Sequence, residues 1–250
     1  MQYGICHLSI VPLRANAAHE SEMTSQLLYG EHFKVLEERA HWSKIRNAFD
    51  DFEAWIDKKQ YRKIEEAEYR SLEENNIQLS SDLIEYITDE HGLLMPVAMG
   101  SVLNFTENLK HNFDGSYLEP LGINKVNLIK TALLYLNSPQ HLGGKSPFGI
   151  DCSGFTQMVY KLNGHKIKRN AAEQSKQGEA LSFIEESEPG DLVFFDDNDG
   201  IINHVGLMME DNYIIHVDGK VRIDRIDHSG IFNAELKRHT HKLRVIKKII

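Results

Sequence analysis

Apolar residues in the first sixty positions come in short bursts separated by charged or small residues. Ile5–Val11, Gln26–Tyr29, Phe33–Glu37, Trp42–Arg46 and Ala54–Ile56 each read as a strand, and that spacing predicts a small barrel over residues 1–61. Arg62–Asn76 is charge-rich with sparse Leu and Ile, which predicts a solvated connector or short helix. From Ile77 to Leu118 the pattern is apolar but mixed, with Gly92, Gly100 and an Asp114-Gly115 turn, so 62–120 reads as that connector plus a second small β-rich unit. After Leu121 the period changes. Val126, Ile129, Leu133 and Leu136 fall on one helical face, with Asn124 placed to cap it and Pro139 to stop it. A second helix follows Asp151-Cys152, where Phe155, Met158, Val159 and Leu162 recur at helical spacing before Asn163-Gly164. Leu192–Phe195, Val205–Met209, Tyr213–Val217 and Leu243–Ile249 then read as strands. Helices followed by an antiparallel sheet predict an α+β domain over 121–250.

Composition narrows the partners. The 250 residues are 41% hydrophobic and 26% charged, ordinary globular usage. Twenty-eight Lys and Arg against 37 Asp and Glu leave a formal charge of −9, which repels polyphosphate and disfavours nucleic acid or an acidic membrane surface. No run of 18 apolar residues occurs, and Met1–Val11 lacks a basic stretch ahead of an apolar one. With two cysteines in the chain, a reducing compartment is expected. The expectation is a cytoplasmic protein, or a periplasmic or secreted one if a leader was removed.

Those cysteines differ in setting. Cys6 sits in an apolar strand pattern and reads as an inert core residue. Cys152 opens a predicted helix, where free backbone N–H groups and the helix dipole favour an anion and are expected to lower the thiol pKa from about 8.5. Two histidines lie downstream in apolar strand patterns. If Glu210 centres the hairpin between them, His204 and His216 are cross-strand neighbours about 5 Å apart at Cβ, so that one ring can take the thiol proton and the other can fix its tautomer. Zinc on Cys152, His204 and His216 ranks low, since no H-x-E or H-E-x-x-H motif supplies a general base. No metal and no cofactor are expected. Arg238–Lys242, with His239 and His241, reads as an exposed basic turn. Gly144-Lys145-Ser146 fails as a phosphate loop because the Gly five positions earlier is Pro139, and no strand is followed by G-x-G-x-x-G.

Four blocks in order carry a resemblance: Gly143-Gly144-Lys145-Ser146-Pro147-Phe148-Gly149-Ile150-Asp151-Cys152-Ser153-Gly154-Phe155, Gly190-Asp191-Leu192-Val193-Phe194-Phe195, His204-Val205-Gly206-Leu207, and His216. They resemble the NlpC-type family of papain-like cell-wall peptidases. In the first sixty residues, Tyr29-Gly30-Glu31 and Trp42-x-Lys44-Ile45 followed by Glu53-Ala54-Trp55-Ile56 resemble a bacterial SH3 domain, with Ala54 where Gly is usual. The combination is similar to the γ-D-glutamyl-L-diamino-acid endopeptidases. The resemblance implies a papain-like C-terminal domain behind SH3-like domains that pack on it, and no cofactor. It implies Cys152 as nucleophile, His204 as base and later acid, and His216 as the orienting third residue. The implied substrate is a murein peptide, L-Ala-γ-D-Glu-diamino acid, with a free amino terminus. Asp151, Ser153, Asn170, Glu31 and Tyr61 are the substrate-binding residues it suggests, the last two closing the pocket. The chain departs from the family at Gln140-His141-Leu142, where Tyr-x-Trp is common, and at Arg169-Asn170-Ala171, where Arg-Asp-Ala is usual. Two alternatives stand at this stage: a non-catalytic murein- or peptide-binding protein, and an N-acetylmuramoyl-L-alanine amidase.

Overall fold

The computed structural model describes residues 1–120, 124–197 and 199–250. They fall into two units, 1–121 with 142–147, and 122–141 with 148–250. Among the described residues no helix is long and apolar enough to cross a membrane.

In the first unit, seven strands form one antiparallel sheet: β1 (Gln2–Ile5), β2 (Ile10–Arg14), β3 (Met23–Leu28), β4 (His32–Glu38), β5 (Trp42–Asn47), β6 (Glu53–Asp57) and β7 (Arg62–Ile64), in the order β3-β2-β6-β5-β4-β1-β7. The single strand expected over Ile5–Val11 is two strands. One part pairs with β4 and β7, the other with β3 and β6, so the apolar run is divided between two places in the sheet. Cys6 lies just past β1 with its side chain in the core, among Val11, Leu13, Leu27, Phe33, Ile45 and Ile56. The Tyr29-Gly30-Glu31 turn needs its glycine: φ is +76°, and a Cβ there would sit 1.8 Å from the Val102 carbonyl oxygen.

Residues 62–120 do not close a core of their own. The connector holds a helix, α1 (Glu66–Glu74), begun by a Glu65/Glu68 capping box. Then come β8 (Leu79–Ser80), β9 (Ile84–Thr88), β10 (Leu94–Ala98), β11 (Asn112–Phe113) and β12 (Tyr117–Leu118), two to five residues each. Strands this short bury little by themselves. Ile87, Val97, Leu103, Phe105 and Leu109 accordingly share a cluster with Ile5 and Tyr29.

In the second unit, α2 (Lys125–Leu134) starts where expected, with Asn124 accepting from Val126 N–H at 2.9 Å. Its buried face differs from the expected one. Leu128, Ala132 and Tyr135 are fully covered, whereas Val126, Leu133 and Leu136 are exposed at 61%, 42% and 40%. A helix with apolar residues on most sides lets tertiary packing, not periodicity, choose the stripe. Two short strands follow, β13 (Lys145–Ser146), which clusters with the first unit, and β14 (Gly149–Ile150). Next come α3 (Cys152–Leu162), α4 (Ala171–Gln174) and seven strands: β15 (Glu179–Leu181), β16 (Leu192–Asp196), β17 (Ile202–Met208), β18 (Tyr213–Asp218), β19 (Lys220–Asp227), β20 (Gly230–Asn233) and β21 (Arg238–Lys248). β16 to β21 pair in sequence, and β20 and β16 both pair with β21, which closes a six-stranded barrel. Val193, Phe195, Met208, Ile214, Ile226, Ile231 and Ile246 form its cluster. Arg238–Lys242 is therefore the start of an eleven-residue strand, not an exposed turn. Its charges alternate with half-buried positions, a weak signal in sequence. The fold is α+β, with β-rich first unit and helices beside a barrel in the second.

Candidate active site

Every residue from Ser153 to Leu162 is buried, so α3 is held on all sides and its first residue, Cys152, is fixed in place. Asp151 is the N-cap and accepts from Gly154 N–H at 2.6 Å. Both its oxygens also accept from Arg169, at 2.9 Å and 2.7 Å, and Arg169 further donates to Ser153 Oγ at 3.0 Å. Arg169 is almost wholly buried. The Asp151 carboxylate, suggested for the substrate ammonium, is thus engaged in capping and in a bidentate ion pair.

The Cys152 thiol lies 3.9 Å from the Asn203 carbonyl, and backbone N–H groups of Val205 and Ser153 also bond to it. The sulfur therefore faces the main chain on both sides of His204. Its pKa is not lowered. Burial and then the charge of Asp151 push it up to about 11, against the opposing pull of those donors and Arg169. The positive field of the helix terminus is answered by its own cap, so the dipole argument alone fails here.

His204 and His216 meet, though by a different register from the one expected. The hairpin turns through Glu210–Asn212, where Asp211 and Asn212 have φ of +57°, and Gly206 stands opposite His216. The turn is thereby centred one residue later, and His204 reaches His216 diagonally on the same face. Gly206 leaves the space, because a Cβ there would fall 2.9 Å from His216 Cβ. His204 Nε2 and His216 Nδ1 are 3.0 Å apart. Burial, then His241 and His216, hold the His204 pKa well below 6.5. Thiol and imidazole therefore rest neutral together.

Three participants escaped the sequence reading. Asp224 on β19 accepts from His216 Nε2 at 3.0 Å, and Arg222 donates to the same carboxylate at 2.6 Å and 3.0 Å. Burial works against that carboxylate's charge, yet bonds from His216 and Arg222 prevail and keep its pKa below the usual value. His241 on β21 stacks on His204, centroids 4.1 Å apart and planes at 27°. A buried acid at a strand position otherwise suited to Val or Ile was the available signal for Asp224. His204, His216 and His241 bring ligand nitrogens within 4.8 Å of one another. A metal ion there would have to displace the His204–His216 hydrogen bond. Beside His204 a cleft of about 530 Å³ is lined by Asp196, Asp197, Asn203, Thr240, His241 and Lys242.

The other suggested residues have the following settings. Asn170 is exposed ahead of α4, one residue past Arg169. Glu31 and Tyr61 belong to the first unit. Glu31 is buried, its oxygens 3.0 Å and 3.2 Å from Lys145 Nζ, and accepts from Leu28 N–H, while the Tyr61 hydroxyl bonds Ser43. Gln140, the departure in the first block, clips the β18–β19 turn by accepting from Gly219 N–H at 2.8 Å.

Residues 137–241 match the NlpC/P60 family, and residues 13–60 match the bacterial dipeptidyl-peptidase SH3 domain. The chain is 27% identical to gamma-D-glutamyl-L-lysine dipeptidyl-peptidase of Bacillus subtilis (strain 168), over 81% of its own length and 75% of the relative's. It is 26% identical to dipeptidyl-peptidase 6 of Lysinibacillus sphaericus, over 87% and 91%. In fold it is similar to the crystal structure of an NlpC/P60 family protein from Bacillus cereus ATCC 10987, with a TM-score of 0.83, 18% identity and 99% of each chain covered. The chain carries an NlpC/P60 domain with a bacterial dipeptidyl-peptidase SH3 domain ahead of it in sequence, and it is a cysteine peptidase of the NlpC/P60 kind.

Proposed function

We propose that this peptidase hydrolyses the bond between γ-D-glutamate and the diamino acid of murein peptides bearing a free amino-terminal L-Ala, as the names of its relatives suggest. The observation that carries the reading is a thiol held against the main chain around His204, with His216 bonded to that imidazole. Because both groups rest neutral, the thiol proton passes to His204 as sulfur attacks the amide carbonyl. The resulting imidazolium protonates the departing amine of the diamino acid. Water, deprotonated by the same imidazole, then releases L-Ala-γ-D-Glu from the thioester. Backbone N–H groups of Val205 and Ser153 that bond the sulfur favour its anion as the proton leaves. The cleft beside His204 carries both signs of charge, Asp196 and Asp197 against Lys242, which suits a zwitterionic diamino acid as the leaving group. Incubation with L-Ala-γ-D-Glu-L-Lys, its diaminopimelate counterpart and their N-acetylated twins tests the reading by mass spectrometry. The free peptides are expected to yield the dipeptide and the acetylated ones to persist. With the muramoyl tripeptide included alongside them, cleavage between muramic acid and L-Ala instead would assign an amidase.

A further inference from the structure

We propose that Asp224 is a positioning residue of the peptidase reaction: it holds both imidazoles in the Nε2–H tautomer and so leaves Nδ1 of His204 as the nitrogen that takes the thiol proton.

The inference follows from which groups can donate. A guanidinium only donates and an ionised carboxylate only accepts. Arg222 Nε donates to Asp224 Oδ2 and its terminal nitrogen to Oδ1, a bidentate grip that fixes the carboxylate plane. His216 Nε2, 3.0 Å from Oδ2, must therefore carry a hydrogen. A neutral ring protonated at Nε2 has a bare Nδ1. That atom lies 3.0 Å from His204 Nε2 and accepts from it. His204 in turn has a bare Nδ1, the acceptor a thiol requires. Reversing one end reverses the whole chain. With Nδ1–H on His216, His204 would accept at Nε2, carry its hydrogen at Nδ1 and present a donor to a donor.

The sheet builds this relay with one repeated offset. Gly206 is opposite His216 and His216 is opposite Arg222, so His204, His216 and Asp224 succeed one another diagonally across β17, β18 and β19. No proton leaves the acid end during turnover. When His204 gains the thiol proton at Nδ1, its Nε2–H is already bonded to His216, and Asp224 stays ionised. The proton returns from Nδ1 to the leaving amine.

Two measurements test the proposal, one independent of activity. In ¹⁵N-histidine-labelled Cys152→Ala protein at neutral pH, side-chain nitrogen shifts are expected to show His204 and His216 neutral and protonated at Nε2. Adding Asp224→Ala should move hydrogen to Nδ1 in a measurable fraction of both rings. In the enzyme with its thiol, Asp224→Ala should lower kcat roughly 10²–10⁴-fold, the usual weight of general base catalysis, with KM changed far less. Asp224→Glu should restore part of kcat. Nδ1–H on either ring of the Cys152→Ala protein overturns the assignment even if no Asp224 variant folds. So does loss of kcat with unchanged tautomers, which would mark Asp224 as merely structural, and so does undiminished kcat. If the wild-type chain cleaves no murein peptide, the peptidase reading fails while the tautomer result still decides this one.

Discussion

Cys6 and Cys152 lie in different units yet share several features. Cys6 is fully buried and Cys152 partly exposed, yet loss of water pushes both thiols up, to about 12 and about 11, and each feels a carboxylate that raises its pKa and a cation that lowers it. For Cys6 these are Glu31 and Lys145, and for Cys152 they are Asp151 and Arg169. What separates them is the remaining surroundings. The Cys6 thiol donates to the Leu8 carbonyl at 3.2 Å inside a hydrocarbon core. The Cys152 thiol faces two backbone N–H groups and the strand that carries His204. A low resting pKa is therefore not what marks the nucleophile. What differs is that donors for a sulfur charge, and the strand of the imidazole proposed to take the proton, surround Cys152 and not Cys6.

The broadest test removes each sulfur. Cys152→Ala should lower kcat for the free tripeptide by roughly 10⁴-fold or more, as loss of a nucleophile does in other acyl-transfer enzymes. Cys6→Ala should leave kcat/KM within about twofold and cost about 1 kcal/mol in a urea melt, the cavity left by one small group. Equal loss in the two variants would erase the distinction.

Next in size is the ion pair beside each thiol. Lys145→Met takes the cation from Glu31, whose side chain is 2% exposed, and Arg169→Met takes it from Asp151, which is 14% exposed. Breaking a buried pair from one side costs about 3–5 kcal/mol. Denaturant midpoints should show the larger loss for Lys145→Met. Arg169→Met should also slow the enzyme, because the unmatched Asp151 raises the thiol pKa further. Unchanged activity in a folded Arg169→Met protein would disconnect that pair from the nucleophile.

How much of this was legible depended on whether the signal was local. Cys152, His204 and His216 stood out because a helix start and two apolar strands place polar atoms where hydrocarbon belongs. The α2 cap was readable from Asn124 alone, whereas its buried stripe was not, since Val126, Leu133, Leu128 and Ala132 compete for one core and only the packed neighbours decide. Lys220–Asp227 hid a strand because its charges mask the alternation. Asp224 and His241 became meaningful only once the closed barrel brought β19 and β21 beside the histidine pair. Lys145, found in a failed phosphate-loop pattern, turns out to be the buried cation of Glu31, a pairing across more than a hundred residues that no spacing rule could reveal.

Alkylation by iodoacetamide sharpens the comparison further. With the thiol pKa near 11, the labelling rate at Cys152 should climb about tenfold per pH unit from pH 7 toward 10, while native Cys6 stays unlabelled. Tandem mass spectrometry of the two peptides reads both rates in one sample. A rate at Cys152 that is level between pH 6 and 9 would mean a preformed thiolate–imidazolium pair and contradict the neutral resting state.

The smallest expected effect lies in alkaline stability. A folded-state pKa above that of the unfolded chain, 9.0 for these thiols, means that the native state keeps a proton the unfolded state has lost. The stability from each thiol is therefore complete below pH 9 and drains away as pH rises through the folded value, at up to about 1.4 kcal/mol per pH unit. For Cys152 the window closes near 11, and for Cys6 near 12. Urea melts between pH 8 and 10.5, under reductant, should show a steeper decline for the wild-type chain than for either alanine variant. Tyrosines that titrate in the same range are common to all three proteins and drop out of the differences. Cys6→Ala should flatten the decline at least as much as Cys152→Ala, because the deeper thiol holds its proton longer. A larger effect from Cys152→Ala would mean that the catalytic thiol, despite the donors around it, is the more strongly protonated of the two, and the contrast drawn from their surroundings would reverse.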